Sequence, residues 1–165
     1  MSLENERIAQ ELIFYESYHH NKYNKLVHIF CIQLLVYTGM IILYNINPYL
    51  SYIGIFGYSA YYLFIDKISG VVYTIILSCM FYTINYISVS YAIFLHVLSW
   101  IIQILSHKYI EKRAPALLDG IVSAFSIAPL YSLLEVMYIF GYKKKFMSYI
   151  SNEGGVLSNN YHNKK

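Results

Sequence analysis

Charge is what this chain lacks most: of 165 residues, only 13% are Asp, Glu, Lys or Arg, against about 25% in soluble domains. With 58% hydrophobic residues and a positive mean hydropathy, that scarcity argues against an ordinary soluble domain and points to a polytopic membrane protein. Cysteine is also sparse. Cys31 and Cys79 fall inside apolar runs, without the spacing of a disulfide framework or a zinc knuckle, so both read as core residues. No glycine-rich phosphate loop, nucleophile elbow or HExxH motif occurs, and no serine stands at a recognisable spacing from His and Asp. The net charge of +3 is modest, and no basic-aromatic stripe suggests nucleic acid. The first basic-apolar boundary comes late and lacks a small-residue cleavage site, so the membrane segments themselves are expected to direct insertion.

What the chain does have is polar chemistry gathered in two places. His96, Trp100, Gln103, His107 and Glu111 recur every three or four residues on one helical face. They lie in or against a segment apolar enough to meet lipid, where ionisable groups are expensive and mark function. His19, His20 and His28, with Asn21 and Asn24, precede the first long hydrophobic run. Individual tyrosines are weaker pointers because there are 20 of them; those near segment ends read as an aromatic belt.

The hydrophobic pattern predicts an all-α polytopic bundle of four to six membrane segments. Ser2 to Asn21 reads as an amphipathic interfacial helix, with Ser2 or Asn5 as its cap. Leu26 to Tyr44 is uncharged and long enough to cross about 30 Å of hydrocarbon. Asn45, Asn47 and Pro48 end it, and Tyr49 to Ile65 returns to Asp66 and Lys67, forming a helical hairpin. Val71 to Ile104 is too long for one span and is divided near Asn85 to Ser90. Pro115 is placed to start the next helix, and Leu117 to Phe140 follows, interrupted at Ala128-Pro129. Residues 1–150 read as one domain and 151–165 as a disordered tail. The positive-inside rule puts Arg7, Lys22, Lys25, Lys67 and the patch from Lys108 to Arg113 on the cytosolic face. Both histidine groups then share that face, and a re-entrant pair at Pro129 returns Lys143 to Lys145 to it.

The spacing leaves several ligand sets open. His107 and Glu111, four apart, can face one cation, or Glu111 can pair with Lys108 or Lys112. Two histidines and a carboxylate would suit non-haem iron. His96 stands three turns, roughly 16 Å, before His107. It therefore serves a different role unless the helix breaks near Ser99 to Ser106: either a second site or a buried polar position. His20, Asn24 and His28 form one stripe. His19 points almost opposite to His28 unless the chain turns at Asn21-Lys22, which asparagine favours. Alternatively, the whole cluster snorkels toward head groups.

Tyr18-His19-His20-Asn21, Asn24 and His28 resemble the N-terminal motif of a known family. Trp100, Gln103, His107, Glu111-Lys112-Arg113, Pro115-Ala116-Leu117 and Asp119, with Ala128-Pro129 behind, resemble its second block. Ser106 stands where that family commonly has glycine. The family is that of the fungal 2-hydroxypalmitate dioxygenase, which acts in phytosphingosine breakdown. The resemblance implies a multi-pass endoplasmic reticulum enzyme using Fe(2+) and molecular oxygen to shorten a long-chain 2-hydroxy fatty acid by one carbon within membrane lipid. It implies His19, His28 and His107 as metal-associated residues, with His96 carried alongside, and Asn24, Gln103 and Glu111 in catalytic support. Lys108, Lys112 or Arg113 is expected to attract the substrate carboxylate, Arg113 as the better bidentate clamp. The competing readings are another membrane metal-dependent lipid oxidase, or a scaffold or transporter with a histidine metal or proton site.

Overall fold

Short polar side chains set the helix boundaries. The computed structural model describes residues 6–115 and 121–164, and the side chains of 121–124 are not included. Ser2, Asn5, Ala116, Leu117 and Asp119 therefore lie outside the described residues. The helices are α1 (Glu6–Tyr18), α2 (Lys22–Ile46), α3 (Pro48–Ile65), α4 (Lys67–Tyr82), α5 (Val89–Ser106), α6 (Ile121–Ile139) and α7 (Lys144–His162). A 3-10 turn at Ile84–Tyr86 precedes α5, and a π-turn at His107–Glu111 follows it. Asn21, Asn47 and Asp66 each combine extended backbone with a side-chain oxygen that accepts from an N–H two or three residues on, the geometry of an N-cap. The predicted breaks at Asn47-Pro48, Asp66 and Asn85 to Ser90 thus fall at or beside the observed ones.

Among the described residues, three stretches are long and apolar enough to cross a membrane: Lys22–Ile46, Lys67–Tyr86 and Val89–Glu111. Large side chains such as Phe30, Phe56, Phe64 and Phe94 are exposed on the bundle, a surface suited to lipid rather than to water. α3 matches α5 in length but carries five tyrosines and two serines, and the apolar stretch of α6 is shorter. α3 and α4 approach closely at Gly70, where a Cβ would come within 2.4 Å of the Leu63 nitrogen.

The chain order alternates direction. α2 runs away from the α1 end, α3 returns to Asp66, α4 runs away again, and α5 brings His107 back. Tyr142 Oη donates to Asp66 Oδ2 at 2.7 Å, and Lys25 Nζ bonds Glu135 at 3.3 Å, so α6 also finishes at this end. Arg7, Lys25, Asp66, Glu111 and Lys143 consequently share one face.

Two sequence expectations are corrected. The chain does not break at Pro129, which sits inside the continuous helix α6. Proline lacks the N–H that would bond the carbonyl four residues earlier, and that carbonyl, on Phe125, instead accepts from Tyr58 Oη at 3.0 Å. The next carbonyl, on Ser126, accepts from Tyr62 Oη at 2.9 Å. With its freed acceptor satisfied by α3, the helix passes through the proline.

The tail is likewise not disordered beyond Ser151: α7 is helical through His162. It is held by packing on α1 rather than by its own propensity. Ile150, Gly154, Gly155 and Ser158 are buried, and a Cβ on Gly154 would meet Glu16 Cγ at 2.2 Å. Glycine there lets α7 lie directly on α1.

Candidate metal centre

The centre begins with a break in helix. α1 ends at Tyr18, Asn21 caps α2, and the residues between them turn His19 back over the first turns of α2. The predicted turn is therefore real, but it comes at His19 to Asn21, before Lys22. His19 rather than His20 consequently faces His28. α5 then delivers His107 at the start of its π-turn, a local widening that often marks functional positions.

His19, His28 and His107 are buried, and their ligand atoms all lie within 4.8 Å of one another. Their ring centroids are 4.3, 4.7 and 4.8 Å apart, with interplanar angles of 68–77°. His19 Nδ1 lies 2.8 Å from the Tyr15 carbonyl and His28 Nδ1 2.9 Å from the Asn24 carbonyl. A carbonyl can only accept, so both Nδ1 atoms carry hydrogen and both Nε2 atoms present lone pairs. Metal-ligating histidines are oriented by this kind of backbone bond. His107 Nε2 is 3.1 Å from His19 Nε2 and must donate to it. His107 Nδ1 is then a bare acceptor, and it is buried without a partner. Burial, reinforced by the neighbouring His28 and His107, holds the His19 imidazole well below its ordinary pKa. It is neutral at physiological pH, as a metal ligand requires.

Glu111 is not a fourth member of this group. Its buried carboxylate accepts from the His20 N–H at 3.2 Å, the Asn21 N–H at 3.1 Å and Asn24 Nδ2 at 3.0 Å. It therefore clamps the α1–α2 turn to the end of α5, and no pairing with Lys108 or Lys112 is present among the described contacts. Asn24 is fully buried and accepts from Ser106 Oγ at 2.5 Å. The serine in the position before His107 thus ties α5 to α2 beside the centre.

The remaining sequence-predicted residues divide. Gln103 is buried one turn before His107, donates to the Ser99 carbonyl at 3.2 Å and lines a cavity onto which the three histidines also open. His96 lines that cavity too but stands apart from the trio. Its Nδ1 lies 2.8 Å from Thr38 Oγ1, and its Nε2 accepts from Trp100 Nε1 at 3.3 Å. The helix is unbroken from Val89 to Ser106, so the three-turn separation holds and both ring nitrogens are engaged. The carboxylate-clamp roles expected of the basic patch do not fit this geometry. Arg113 donates to the Ser17 carbonyl at 2.8 Å and stacks between Tyr18 and Tyr161, 3.5 and 4.3 Å from their centroids. Lys112 is exposed in a left-handed conformation. Neither lines the cavity.

A second polar cluster backs the centre and escaped the sequence reading. The wholly buried Glu16 carboxylate meets Lys25 Nζ at 2.8 Å and His20 Nδ1 at 2.9 Å, and it accepts from Tyr131 Oη. Tyr131 also bonds Glu135 at 2.7 Å, while Tyr15 stacks on His19 at 4.0 Å. Glu135 is the acid in an otherwise apolar α6, which is the signal that could have found the cluster.

The trio opens into a cavity of about 560 Å³, within the usual range for small-molecule sites. Its walls are apolar residues of α2, α3, α5 and α6, so a polar head leads into an apolar shaft. No solved structure matches the chain. A Saccharomyces cerevisiae protein named 2-hydroxy-palmitic acid dioxygenase MPO1 is 24% identical over 155 residues, covering 88% of each chain. The family described as 2-hydroxy-palmitic acid dioxygenase Mpo1-like matches residues 5–139, a stretch that contains the histidine trio, Asn24, Gln103 and Glu111, and the chain belongs to that family.

Proposed function

We propose that this chain is an iron-dependent membrane dioxygenase that shortens long-chain 2-hydroxy fatty acids by one carbon. The observation that carries the reading is a three-histidine centre at the head of an apolar shaft. The residues fit a divalent cation: three imidazoles converge, two are oriented by backbone carbonyls, and the third has an unpartnered buried nitrogen. His19, His28 and His107 would hold it. Ferrous iron, when bound, supplies the activation of molecular oxygen. Imidazole ligands suit iron among several first-row metals, so the choice of iron rests on family membership.

The chain's own residues do the positioning. Glu111, Asn24 and Ser106 fix His19 and His107 relative to each other, and Gln103 offers an amide at the polar head. The shaft takes the acyl chain and keeps bulk water from it. The shared face of Arg7, Lys25 and the Lys108 to Arg113 patch favours a cytosolic centre, in the endoplasmic reticulum membrane. The test is anaerobic ferrous loading followed by mass analysis of products from 2-hydroxypalmitate. The expected product is the acid one carbon shorter, with about one iron per three-histidine site. Well-folded, iron-loaded protein yielding no shortened product would overturn the reading.

A further inference from the structure

Close helix packing accounts for some of the described glycines and not for others. At Gly70, Gly154 and Gly155 an added Cβ would lie 2.2–2.8 Å from a neighbouring atom, so helix packing requires glycine there. Gly39 and Gly54 differ. A Cβ on Gly54 would meet nothing within 4 Å, and one on Gly39 would meet only His96 Cε1 at 3.9 Å. Yet glycine inside a helix costs roughly 0.5–1 kcal/mol relative to alanine. Both positions line the cavity. Gly54 sits between Ser51 and Tyr58 on the cavity-facing stripe of α3, and Gly39 between Val36 and Leu43 on that of α2. The space beside them is not used by protein packing.

Helix rise places the two glycines at one depth. Gly39 follows His28 by eleven residues, about 16 Å along α2. α2 ends at Ile46, about 27 Å from His28, and α3 returns about 9 Å from Pro48 to Gly54, which puts Gly54 at about 18 Å. Ser51 Oγ donates to the Met40 carbonyl at 2.6 Å, which fixes the register of the two helices. Below the pair, the cavity continues to Leu43, about 22 Å from His28. An extended acyl chain with bonds of about 1.5 Å advances about 1.25 Å per carbon. A chain anchored at the histidine head therefore reaches the glycines after about thirteen carbons and the floor after about seventeen.

We propose that Gly39 and Gly54 determine acyl-chain length by leaving the shaft open at the depth where the last few carbons of the substrate pass. This rests on the functional reading above. It is independently motivated at the head of the cavity by the buried, unpartnered His107 Nδ1, which marks that end as the one that receives a ligand.

The test uses the full chain in lipid nanodiscs and a ladder of saturated 2-hydroxy acids from about ten to about eighteen carbons. Equilibrium binding to iron-free protein is read beside turnover of the ferrous form. The wild type should prefer about sixteen carbons, and Gly54→Leu or Gly39→Leu should lower the preferred length by about four. Gly54→Ala should give a smaller shift in the same direction, and it supplies the result if the leucine variants fold poorly. Gly57→Leu, on α3 but outside the cavity lining, should leave the preference unchanged. Retained binding with an unmoved optimum in the Gly54 and Gly39 variants would overturn the length assignment alone. So would an equal shift in Gly57→Leu. A folded wild type that binds and turns over no acid of the ladder would overturn the functional reading, and the length assignment with it.

Discussion

The two ends of the cavity are held by different physics. At the histidine end the side chains are fixed by polar bonds: Glu111 to the α1–α2 turn and Ser106 to Asn24 across elements, His19 and His28 to carbonyls four residues before them. At the far end, Leu43, Ser51 and Gly54 sit in a hairpin whose outer residues Ile46, Tyr49 and Ile53 face outward. Polar bonds there are few, the one from Ser51 to the Met40 carbonyl among them. Buried polar networks are costly unless fully satisfied, so their concentration at one end identifies where geometry matters, while the other end needs only shape.

The sharpest way to break the contrast is at His107. His107→Ala should abolish activity and lower iron per protein after equal ferrous loading, with the fold retained. Near-normal turnover would make His107 structural. Glu111→Ala should come next. It leaves two backbone N–H groups and an asparagine amide without their acceptor, at about 1–3 kcal/mol for each group left buried. Outer partners of metal ligands typically contribute 10–100-fold to affinity or activity. Denaturation in detergent and iron titration would measure both effects, and Glu111→Gln should recover part of the stability.

Acid should act on the same end. His19 is held below its usual value of 6.5 chiefly by burial, so below that pH the unfolded chain binds a proton that the folded chain refuses. Stability is therefore complete above about pH 6.5 and falls as pH drops, by up to about 1.4 kcal/mol per unit until the folded group titrates. His19→Gln should remove that share of the slope in a series of melts from neutral to mildly acidic pH. His96→Gln is the control at the boundary of the two regions. It should leave iron content nearly intact, although it breaks the bonds to Thr38 and Trp100. Iron loss equal to that of His107→Gln would point to a two-metal site.

Local signals explain what was legible in the sequence. Asn47-Pro48 and Asp66 cap helices by short-range bonds, and the hydrophobic runs between them are long enough to read. The trio was legible only in part. Spacing alone could not choose between His19 and His20, because the choice depends on a break held by Glu111 from ninety residues away in sequence. Glu111 itself looks like a ligand at four-residue spacing, yet the α1–α2 turn takes its oxygens. α7 beyond Ser151 was illegible for a related reason: its asparagines, serines and glycines are weak helix formers, and two of those glycines let it lie directly against Glu16 and His20 of the distant N-terminal segment.

Pro129 is the same lesson at its smallest scale, and it gives the weakest expected effect. A proline inside a predicted membrane segment reads as a break because it frees a carbonyl. Here the freed Phe125 oxygen is met by a phenol from a different helix. Tyr58→Phe removes that donor while keeping the ring. The change should cost about 1 kcal/mol, the net worth of one hydrogen bond. Tyr62→Phe removes the neighbouring donor to Ser126 from a fully buried ring and should cost somewhat more. The double variant should exceed the sum of the two if both phenols hold one strained turn open. A thermal melt of the four proteins decides it: no loss in any variant would mean that α6 passes Pro129 without needing the phenols of α3.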